Sequence, residues 1–284
     1  MMSRRVVMRK SDDRRHVLSL SGGKDSAALA VYLKDKIPDL EYVFMDTGYE
    51  LPETYEFLDR MRAMLGIHIT KLKPERGFDY WYRIFKGCLP APNNRWCTRE
   101  LKIKPYEAYI GSDRIVSYVG LRADEDRMGY FSTKDNILPM YPFIEDQLCR
   151  DDIINILEAS GLGLPKYYEW RSRSGCFFCF YQQRNEWIGL YDNHPDLFEQ
   201  ACEYERNHLD GRTYTWVEGV SLKELLDKRD EIPERPDKKD IFNESKLSNI
   251  FKGQKFTIGE KSILKNSLNK PNKNEDEECL FCIL

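Results

Sequence analysis

The sequence lacks long hydrophobic runs. Its 284 residues have a mean hydropathy of −0.62, and no stretch approaches the roughly 20 successive apolar residues that a helix needs to cross a bilayer. Residues 1–16 are basic and contain no apolar core of the kind that a secretion signal requires. These absences exclude a transmembrane helix and a secretion signal, so we expect a cytoplasmic protein that binds no membrane and keeps its thiols reduced.

The sequence also has little net charge and few histidines. Its 44 Lys and Arg residues nearly balance its 47 Asp and Glu residues, and it has 4 histidines. A protein that binds nucleic acid through bulk charge is strongly basic, so nucleic acid would contact this chain only at a local basic patch. The 8 cysteines include two C-x-x-C pairs, Cys176/Cys179 and Cys279/Cys282, and this spacing indicates a metal or redox site in a reducing compartment.

Short apolar runs alternate with helical patterns between residues 16 and 145. The predicted strands are residues 17–21, 41–46, 68–72 and 114–120, and the helices predicted between them include residues 24–36 and 52–65. Strands that alternate with helices form a parallel sheet with helices on both faces, so the predicted fold class is α/β. From residue 146 onward the pattern becomes mostly helical and bears the first C-x-x-C pair.

A glycine-rich loop, Ser21-Gly22-Gly23-Lys24-Asp25-Ser26, joins the first predicted strand to the first predicted helix. Adjacent glycines permit a sharp turn close to a ligand, and the N–H groups at the start of a helix attract anions. Serine hydroxyls and the Lys24 ammonium add to this site, and Asp25 fits beside an anion when Mg²⁺ bridges the two. A strand-to-helix turn without a ligand would explain the glycines but not the whole hexapeptide, so we predict a nucleotide site.

This hexapeptide resembles the PP-loop of the ATP pyrophosphatase superfamily. Residues 45–57 and 119–130 resemble the D-T-G-x-x-x-P-E-T and G-x-R-x-x-E-S-x-R segments of its branch related to phosphoadenosine phosphosulfate (PAPS) reductases, with Asp126 where that branch often has serine. A plain turn and surface ion pairs are the alternatives for these two segments. The resemblance implies an adenine nucleotide alpha hydrolase-like fold and cleavage of ATP between its α and β phosphates.

The resemblance also implies which residues form the nucleotide site. Those implied to bind ATP and Mg²⁺ are Ser19, Ser21, Gly22, Gly23, Lys24, Asp25, Ser26, Asp46, Thr47, Gly120 and Arg127, and those implied in catalysis are Lys24, Asp25 and Arg122. The predicted organisation is a flexible N-terminal segment (1–15), a nucleotide-binding domain (16–145), a helical iron–sulfur-associated region (146–235) and a charged, partly disordered tail (236–284).

Two cysteine segments resemble the same branch. Residues 95–105 resemble R-W-C-T-x-x-L-K-x-x-P, and residues 174–179 resemble a later G-C-x-x-C segment. In relatives with a 4Fe–4S cluster, thiolates from these regions bind the iron. The ligands implied here are Cys97, Cys176 and Cys179, with Cys88 chosen as the fourth and Cys149 as its alternative. Zinc is the alternative metal for four thiolates, and a small buried side chain is the alternative role for either single cysteine.

The whole set of segments is similar to the sulfurtransferases of bacterial DNA phosphorothioation systems. This implies an ATP pyrophosphatase that adenylates an acceptor oxygen, with a DNA backbone phosphate as the candidate, before sulfur insertion in a phage-defence pathway. The implied partners are a cysteine desulfurase as sulfur donor, DNA, and other proteins of the modification system. A basic patch of Arg95, Arg99, Lys102 and Lys104 beside Cys97 would hold the acceptor's phosphates, although a solvated helix face is the commoner role of such residues.

Other functions remain open on the sequence. An assimilatory reductase of PAPS or adenylylsulfate would share these segments, but Cys279 lacks the Gly and His of the E-C-G-x-H tail that carries the reductase nucleophile, and the complete loop favours ATP. A tRNA-thiolating enzyme would differ in its acceptor, and a non-catalytic nucleotide sensor would use the loop alone. For the Cys279/Cys282 pair, an idle tail and a mobile thiol that takes up sulfur are about equally consistent with the sequence.

Overall fold

Five parallel strands form one sheet in the structure, a computed structural model that describes residues 13–125, 134–206 and 211–233. The strands are β1 (Arg15–Leu20), β2 (Glu41–Met45), β3 (Ile69–Leu72), β4 (Ile115–Tyr118) and β5 (Ile137–Met140), in the order β3-β2-β1-β4-β5. Every neighbouring pair is parallel. The predicted α/β class with a parallel sheet is confirmed.

Helices follow or separate these strands. They are α1 (Lys24–Leu33), α2 (Pro52–Leu65), α3 (Phe78–Ile84), α4 (Trp96–Thr98), α5 (Lys104–Ile110), α6 (Pro142–Glu145), α7 (Arg150–Ala159), α8 (Arg184–Asn193), α9 (Pro195–Arg206) and α10 (Leu222–Asp227). A π-helical turn (Arg99–Ile103) joins α4 to α5, and 3₁₀ turns lie at Lys166–Glu169 and Arg229–Glu231. In the part of the chain that the structure describes, no helix is both long and apolar enough to cross a bilayer.

The alternation of side chains along each strand divides the sheet between two cores. Leu18 of β1 packs with α1, α2 and α7 on one face, whereas Val17 beside it packs with α5 on the other face. Both residues are fully buried, as expected for a parallel sheet with helices on both sides. Because α7 packs on the same core as α1, the helical layer of the sheet continues past residue 146, where the sequence predicts a boundary.

A third core, rich in aromatic rings, joins α3 to the helical region. Phe78 of α3, Phe178 and Trp216 are buried in it. The ring centroids of Phe178 and Trp216 lie 5.2 Å apart, and those of Phe78 and Phe178 lie 4.4 Å apart. Since Phe178 belongs to residues 171–183, the segment around the first C-x-x-C pair, this core anchors that segment, which we call the cysteine loop.

The structure adds a fifth strand, starts the first strand earlier than predicted and shortens the other three. β5 contains Pro139, which lacks a backbone N–H, and this is tolerated because β5 is at the edge of the sheet and pairs with β4. β1 begins at Arg15, before the predicted start, because the Arg15 guanidinium is held by Glu41 at 2.7 Å and by Asp113 at 2.6 Å. Most of the predicted N-terminal segment and the whole predicted tail lie outside the described residues.

Candidate active site

Two loops meet at the carboxyl edge of the sheet, where the chain leaves β1 and β4. The strand that follows β1 in the chain, β2, lies on one side of the β1/β4 pair, and the strand that follows β4, β5, lies on the other side. Open parallel sheets bind ligands at the point where the strand order reverses in this way. Residues 21–23 follow β1, and residues 119–125 follow β4. The loops touch, because a Cβ atom added at Gly120 would lie 3.1 Å from the carbonyl group of Asp25. The predicted phosphate loop and arginine segment therefore face each other.

The phosphate loop, residues 21–26, has a shape that depends on glycine. Gly22 has a φ of +74°, and a Cβ atom there would lie 2.5 Å from Thr54 Cγ2. The loop also bonds to itself: Gly23 N–H donates to Ser21 Oγ at 3.2 Å, and Ser21 N–H donates to Ser26 Oγ at 3.1 Å. These bonds hold the start of α1 in place.

Three charged side chains meet at the loop. Lys24 Nζ lies 2.6 Å from Asp25 Oδ2, and Arg122 Nη1 lies 2.9 Å from Asp25 Oδ1. Burial lowers the pKa of Lys24. Burial alone would raise the pKa of Asp25, but the charges of Lys24 and Arg122 outweigh it and lower that pKa, so the carboxylate is ionised at neutral pH. Arg122 also pairs with Asp124 at 2.9 Å and with Glu125 at 3.2 Å.

The phosphate loop opens onto a cavity of about 330 Å³. The predicted residues that line it are Ser21, Gly23, Asp25, Ser26, Thr47, Gly120, Arg122, Cys97, Cys176 and Cys179. The phosphate loop and the cysteine loop also touch, since a Cβ atom added at Gly23 would lie 2.8 Å from Ser174 Oγ. The same cavity therefore joins the predicted nucleotide residues to three of the predicted thiols.

Buried polar side chains hold the cysteine loop in its shape. Arg171 is 0% exposed and donates to the carbonyl oxygens of Gly175 and Cys176 at 3.3 and 2.8 Å. Glu186 accepts from a loop N–H at 2.6 Å, and Gln182 donates to a loop carbonyl at 2.7 Å. Buried polar groups are stable when they are bonded in this way, so the loop takes its shape from the protein's own groups.

Cys176 lies beside a buried carboxyl group. Its Sγ is 3.3 Å from Thr47 Oγ1 and 3.9 Å from Glu50 Oε1, and Thr47 donates to that same Glu50 oxygen at 2.7 Å. Burial raises the pKa of Glu50. Burial and the charge of Glu50 raise the pKa of Cys176 to about 12, while Lys102 acts in the opposite direction. A nearby cation or a metal ion would therefore favour the Cys176 thiolate, the form that binds metals and attacks electrophiles.

Five predicted site residues among those described do not line the cavity, and three of them make contacts elsewhere in the protein. Ser19 is 0% exposed within β1. Asp46 Oδ1 accepts hydrogen bonds from Gly48 N–H at 3.0 Å and from the Tyr55 hydroxyl at 2.7 Å, so it holds the turn after β2. The Cys88 thiol donates to the next residue's carbonyl oxygen at 3.6 Å. These side chains make their contacts within the protein, and their predicted contact with a ligand stays a prediction.

Other predicted residues have different outcomes. Gly22 and Lys24 shape the phosphate loop without lining the cavity. Cys149 is exposed at the start of α7, with its Sγ 3.9 Å from the Gln147 carbonyl oxygen. Arg127 and the Cys279/Cys282 pair lie outside the described residues.

The chemistry of the cavity suits an iron–sulfur cluster. Cys97, Cys176 and Cys179 line it together with aromatic side chains, and low solvent exposure is one of the protein's means of tuning such clusters. Within residues 13–125, 134–206 and 211–233, no group of three or more His, Cys, Asp or Glu side chains stands close enough to hold a metal ion. The three cysteines therefore fit a cluster by residue type, although their side chains are not gathered into one metal-binding group, and the cavity offers three thiols where the sequence predicts four.

Some residues of the site follow no motif in the sequence. Tyr168 lines the cavity beside the phosphate loop, and Arg171 anchors the cysteine loop. Both precede the G-C-x-x-C segment without a recognisable spacing, so only their contacts in the structure identify them. Glu50 lies inside the D-T-G segment, and its place beside a motif threonine is the signal that would have singled it out.

Comparison with known proteins agrees with this geometry. Residues 15–140 match the family model of the phosphoadenosine phosphosulfate reductase domain. Residues 15–140 are thus similar to a PAPS reductase domain. The resemblance of residues 21–26, 45–57 and 119–130 to this branch of PP-loop proteins is thereby confirmed, since all three segments fall inside the matched residues.

Two curated relatives show how far the similarity extends. An uncharacterized protein of Methanocaldococcus jannaschii is 28% identical over 210 residues, covering 68% of this chain and 42% of the relative. The tRNA-specific 2-thiouridylase MnmA of Lacticaseibacillus paracasei is 25% identical over 216 residues, covering 63% of this chain and 55% of the relative. The chain thus spans about half the length of these relatives.

Two solved structures show a distant similarity to this chain. The PAPS reductase from Candida auris, in a phosphate complex, has a TM-score of 0.47 at 12% identity and covers 58% of this chain and 82% of its own. The U34-tRNA thiolase NcsA from Methanococcus maripaludis, with its 4Fe–4S cluster, has a TM-score of 0.40 at 14% identity and covers 80% of this chain and 84% of its own. Both similarities are distant, so the roles of residues in this chain rest on its own geometry.

Proposed function

We propose that the protein is an ATP pyrophosphatase that adenylates a phosphate oxygen of a DNA backbone so that sulfur can replace it, in a phosphorothioation pathway of the phage-defence type. One observation carries this proposal: the phosphate loop and three cysteines line the same cavity. An enzyme that only cleaves a nucleotide needs no thiols beside the phosphates. A sulfur-transfer enzyme needs both groups within reach of one substrate.

The first step is adenylation. The acceptor oxygen attacks the α-phosphorus of ATP, and the bond to pyrophosphate breaks. The N–H groups of the loop, with Lys24 and Arg122, stabilise the negative charge that grows on pyrophosphate. Lys24 and Arg122 both pair with Asp25, so they are already beside the loop. Asp25 is a suitable Mg²⁺ ligand by its chemistry, and bound Mg²⁺ would neutralise phosphate charge.

The second step is sulfur transfer from a cysteine persulfide formed by a partner cysteine desulfurase. The terminal sulfur of the persulfide attacks the acceptor phosphorus, and AMP leaves. A second cysteine thiolate then attacks the Sγ atom of the persulfide-bearing cysteine, so that the S–S bond to the transferred sulfur breaks, a disulfide forms between the two cysteines and the thio product is released. Cys97, Cys176 and Cys179 supply these thiols. A 4Fe–4S cluster held by the same cysteines would supply the sulfur-carrying site in place of the persulfide.

The wall of the cavity supports a nucleic-acid acceptor. The Tyr181 ring has the guanidinium of Arg173 at 4.9 Å and that of Arg95 at 5.8 Å from its centroid, and the Phe180 ring lies 4.4 Å from it. Guanidinium groups bind phosphates, and aromatic rings stack on bases. The similarity to tRNA-specific 2-thiouridylases makes a tRNA base oxygen the second candidate acceptor.

The proposal is tested by analysis of the products. The purified protein is incubated with MgATP, oligonucleotide DNA, a cysteine desulfurase and ³⁵S-cysteine. We expect AMP and pyrophosphate, with ³⁵S in the DNA. Lys24→Ala should lower the rate of AMP formation roughly 100-fold, the size expected when a group that stabilises transition-state charge is removed.

Matched variants separate the two steps. Lys34→Ala, at the exposed end of α1, should leave the rate unchanged, while Cys176→Ser should still release AMP but transfer no sulfur. ADP as the main product would contradict the pyrophosphatase. If tRNA is added and ³⁵S is found in the tRNA and not in the DNA, the acceptor is tRNA in place of DNA.

A further inference from the structure

Two adjacent tyrosines of the helical region reach the phosphate loop. Tyr167 and Tyr168 lie on the 3₁₀ turn Lys166–Glu169, and their ring centroids are 4.9 Å apart. The Tyr167 hydroxyl donates to the Gly22 carbonyl oxygen at 2.7 Å, and the Tyr168 hydroxyl accepts from Lys24 N–H at 3.2 Å. The first of these bonds is buried and fixes the turn to the loop.

The Tyr168 hydroxyl lies at the anion-binding part of the loop. Lys24 N–H is among the first backbone donors of α1, the donors that a helix offers to a phosphate. The ring of Tyr168 faces the Lys24 ammonium at 6.0 Å, and Tyr168 lines the cavity together with Ser21, Gly23 and Asp25. An anion that enters the cavity to bind the loop therefore meets this hydroxyl.

The Tyr168 hydroxyl keeps its proton at neutral pH. Burial raises its pKa, and the charge of Asp25 raises it further. A phenol that accepts a hydrogen bond through its oxygen also has an O–H to donate. The hydroxyl also shares a hydrogen bond with the Tyr167 hydroxyl. Because a phenol O–H rotates, it can turn from that partner to a phosphate oxygen while its oxygen accepts from Lys24, without deprotonation.

We propose that Tyr168 is a phosphate-binding residue of the nucleotide site, whose hydroxyl donates a hydrogen bond to the phosphates of ATP. This rests on the proposed function, because it assigns a residue to the same nucleotide. The arrangement ties the phosphates to the cysteine loop, which begins three residues after Tyr168 and whose Ser174 packs against Gly23. The phosphates are thus recognised by a residue from outside the family's loop motif.

The test compares the affinities of Tyr168→Phe and the wild type for MgATP and for adenosine, by calorimetry. Phe keeps the ring that packs on Tyr167 and removes only the hydroxyl. We expect the Kd for MgATP to rise about tenfold, the size of one hydrogen bond to a charged group, and the Kd for adenosine to stay within about twofold. Tyr191→Phe on α8, where the ring packs on Phe198, is the control and should bind both ligands like the wild type.

The outcomes are distinct. A Kd for MgATP within about twofold of the wild type, with a lowered midpoint of thermal unfolding, would make Tyr168 only a cap of α1 and overturn the proposal. An equal loss for adenosine and MgATP would also overturn it. Tyr168→Leu, which removes the hydroxyl in a second way, must show the same selective loss. If the wild type binds MgATP no more tightly than adenosine, both this proposal and the proposed function fail. If the wild type binds MgATP more tightly than adenosine and Tyr168→Phe has the same two Kd values, this proposal alone is contradicted.

Discussion

Arg171 is the single residue on which the shape of the cysteine loop most depends. Its guanidinium is buried, and it donates to two consecutive carbonyl oxygens, those of Gly175 and Cys176. A buried charge costs free energy unless it is bonded. Arg171 is stable in the core because its hydrogen bonds satisfy both the buried guanidinium and the two buried carbonyl oxygens.

At this scale we predict that Arg171→Met lowers the free energy of unfolding by about 2–5 kcal/mol, because it leaves two buried carbonyl oxygens without their donor. Urea denaturation followed by tryptophan fluorescence measures the change. Arg184→Met, at an exposed position at the start of α8, is the control and should change stability by less than about 0.5 kcal/mol. Equal stability of the two variants would show that Arg171 does not hold the loop.

Among the elements, three neighbouring strands are tied at their amino ends by charge. Arg15 at the start of β1 bonds to Glu41 at the start of β2 and to Asp113 just before β4. Tyr109 of α5 also donates to Glu41, at 2.6 Å. The hydrogen bonds from Arg15, followed by that from Tyr109, lower the pKa of Glu41 against the opposing effect of burial. The central strand is thereby joined to both of its partners by side chains as well as by backbone.

This tie gives a pH-dependent prediction. Because the folded pKa of Glu41 is below its ordinary value of 4.5, its contribution to stability is complete above that value and is lost as the pH falls through the lowered pKa. Glu41→Gln should therefore be less stable than the wild type by about 1 kcal/mol at pH 7, and the difference should shrink towards zero in acid. Chemical denaturation at several pH values measures this. Glu75→Gln, which changes an exposed carboxylate, is the control and should have the stability of the wild type at each pH. If the stability difference between Glu41→Gln and the wild type is independent of pH, the charge of Glu41 is not its cause.

In the whole molecule, the cavity lies where the sheet domain meets the aromatic core. The phosphate loop is built on β1 and α1, whereas Cys176 and Cys179 are carried by the cysteine loop. Cys97 comes from α4, just before the π-helical turn. No one part of the chain supplies both the phosphate site and the thiols, so the proposed chemistry requires the two parts to be packed together.

For the whole molecule we predict an iron–sulfur cluster bound by cysteines from separate parts of the chain. Protein purified without oxygen should contain about four irons per chain, and Cys97→Ser, Cys176→Ser and Cys179→Ser should each lose them. Cys88→Ser should retain iron, because its thiol does not line the cavity. Since Arg171 and its neighbours shape the loop, the loss of iron should leave the unfolding midpoint nearly unchanged. Iron content by mass spectrometry and the visible spectrum check this, and zinc in place of iron would contradict the cluster.

The sequence by itself determined the features that depend on residues close together in the chain. The phosphate loop was predicted because glycines, serines and lysine follow one another between an apolar strand and a helix. The bounds of α2 agree with the structure because Pro52 suits the first turn and Gly66, at a φ of +63°, ends the helix. β5 was missed because Pro139 argues against a strand unless the strand is known to lie at an edge.

Only the tertiary structure decided which distant residues share the cavity. Tyr168 bonds to Lys24 across 144 positions of the chain, and no local pattern encodes that contact. The same holds for Cys97 and the Cys176/Cys179 pair, which line one cavity although they lie far apart in the chain. Local propensities and periodicity act over a turn of helix or a pair of strands. The position of a side chain in a site is set instead by the packing of elements that are far apart in the chain.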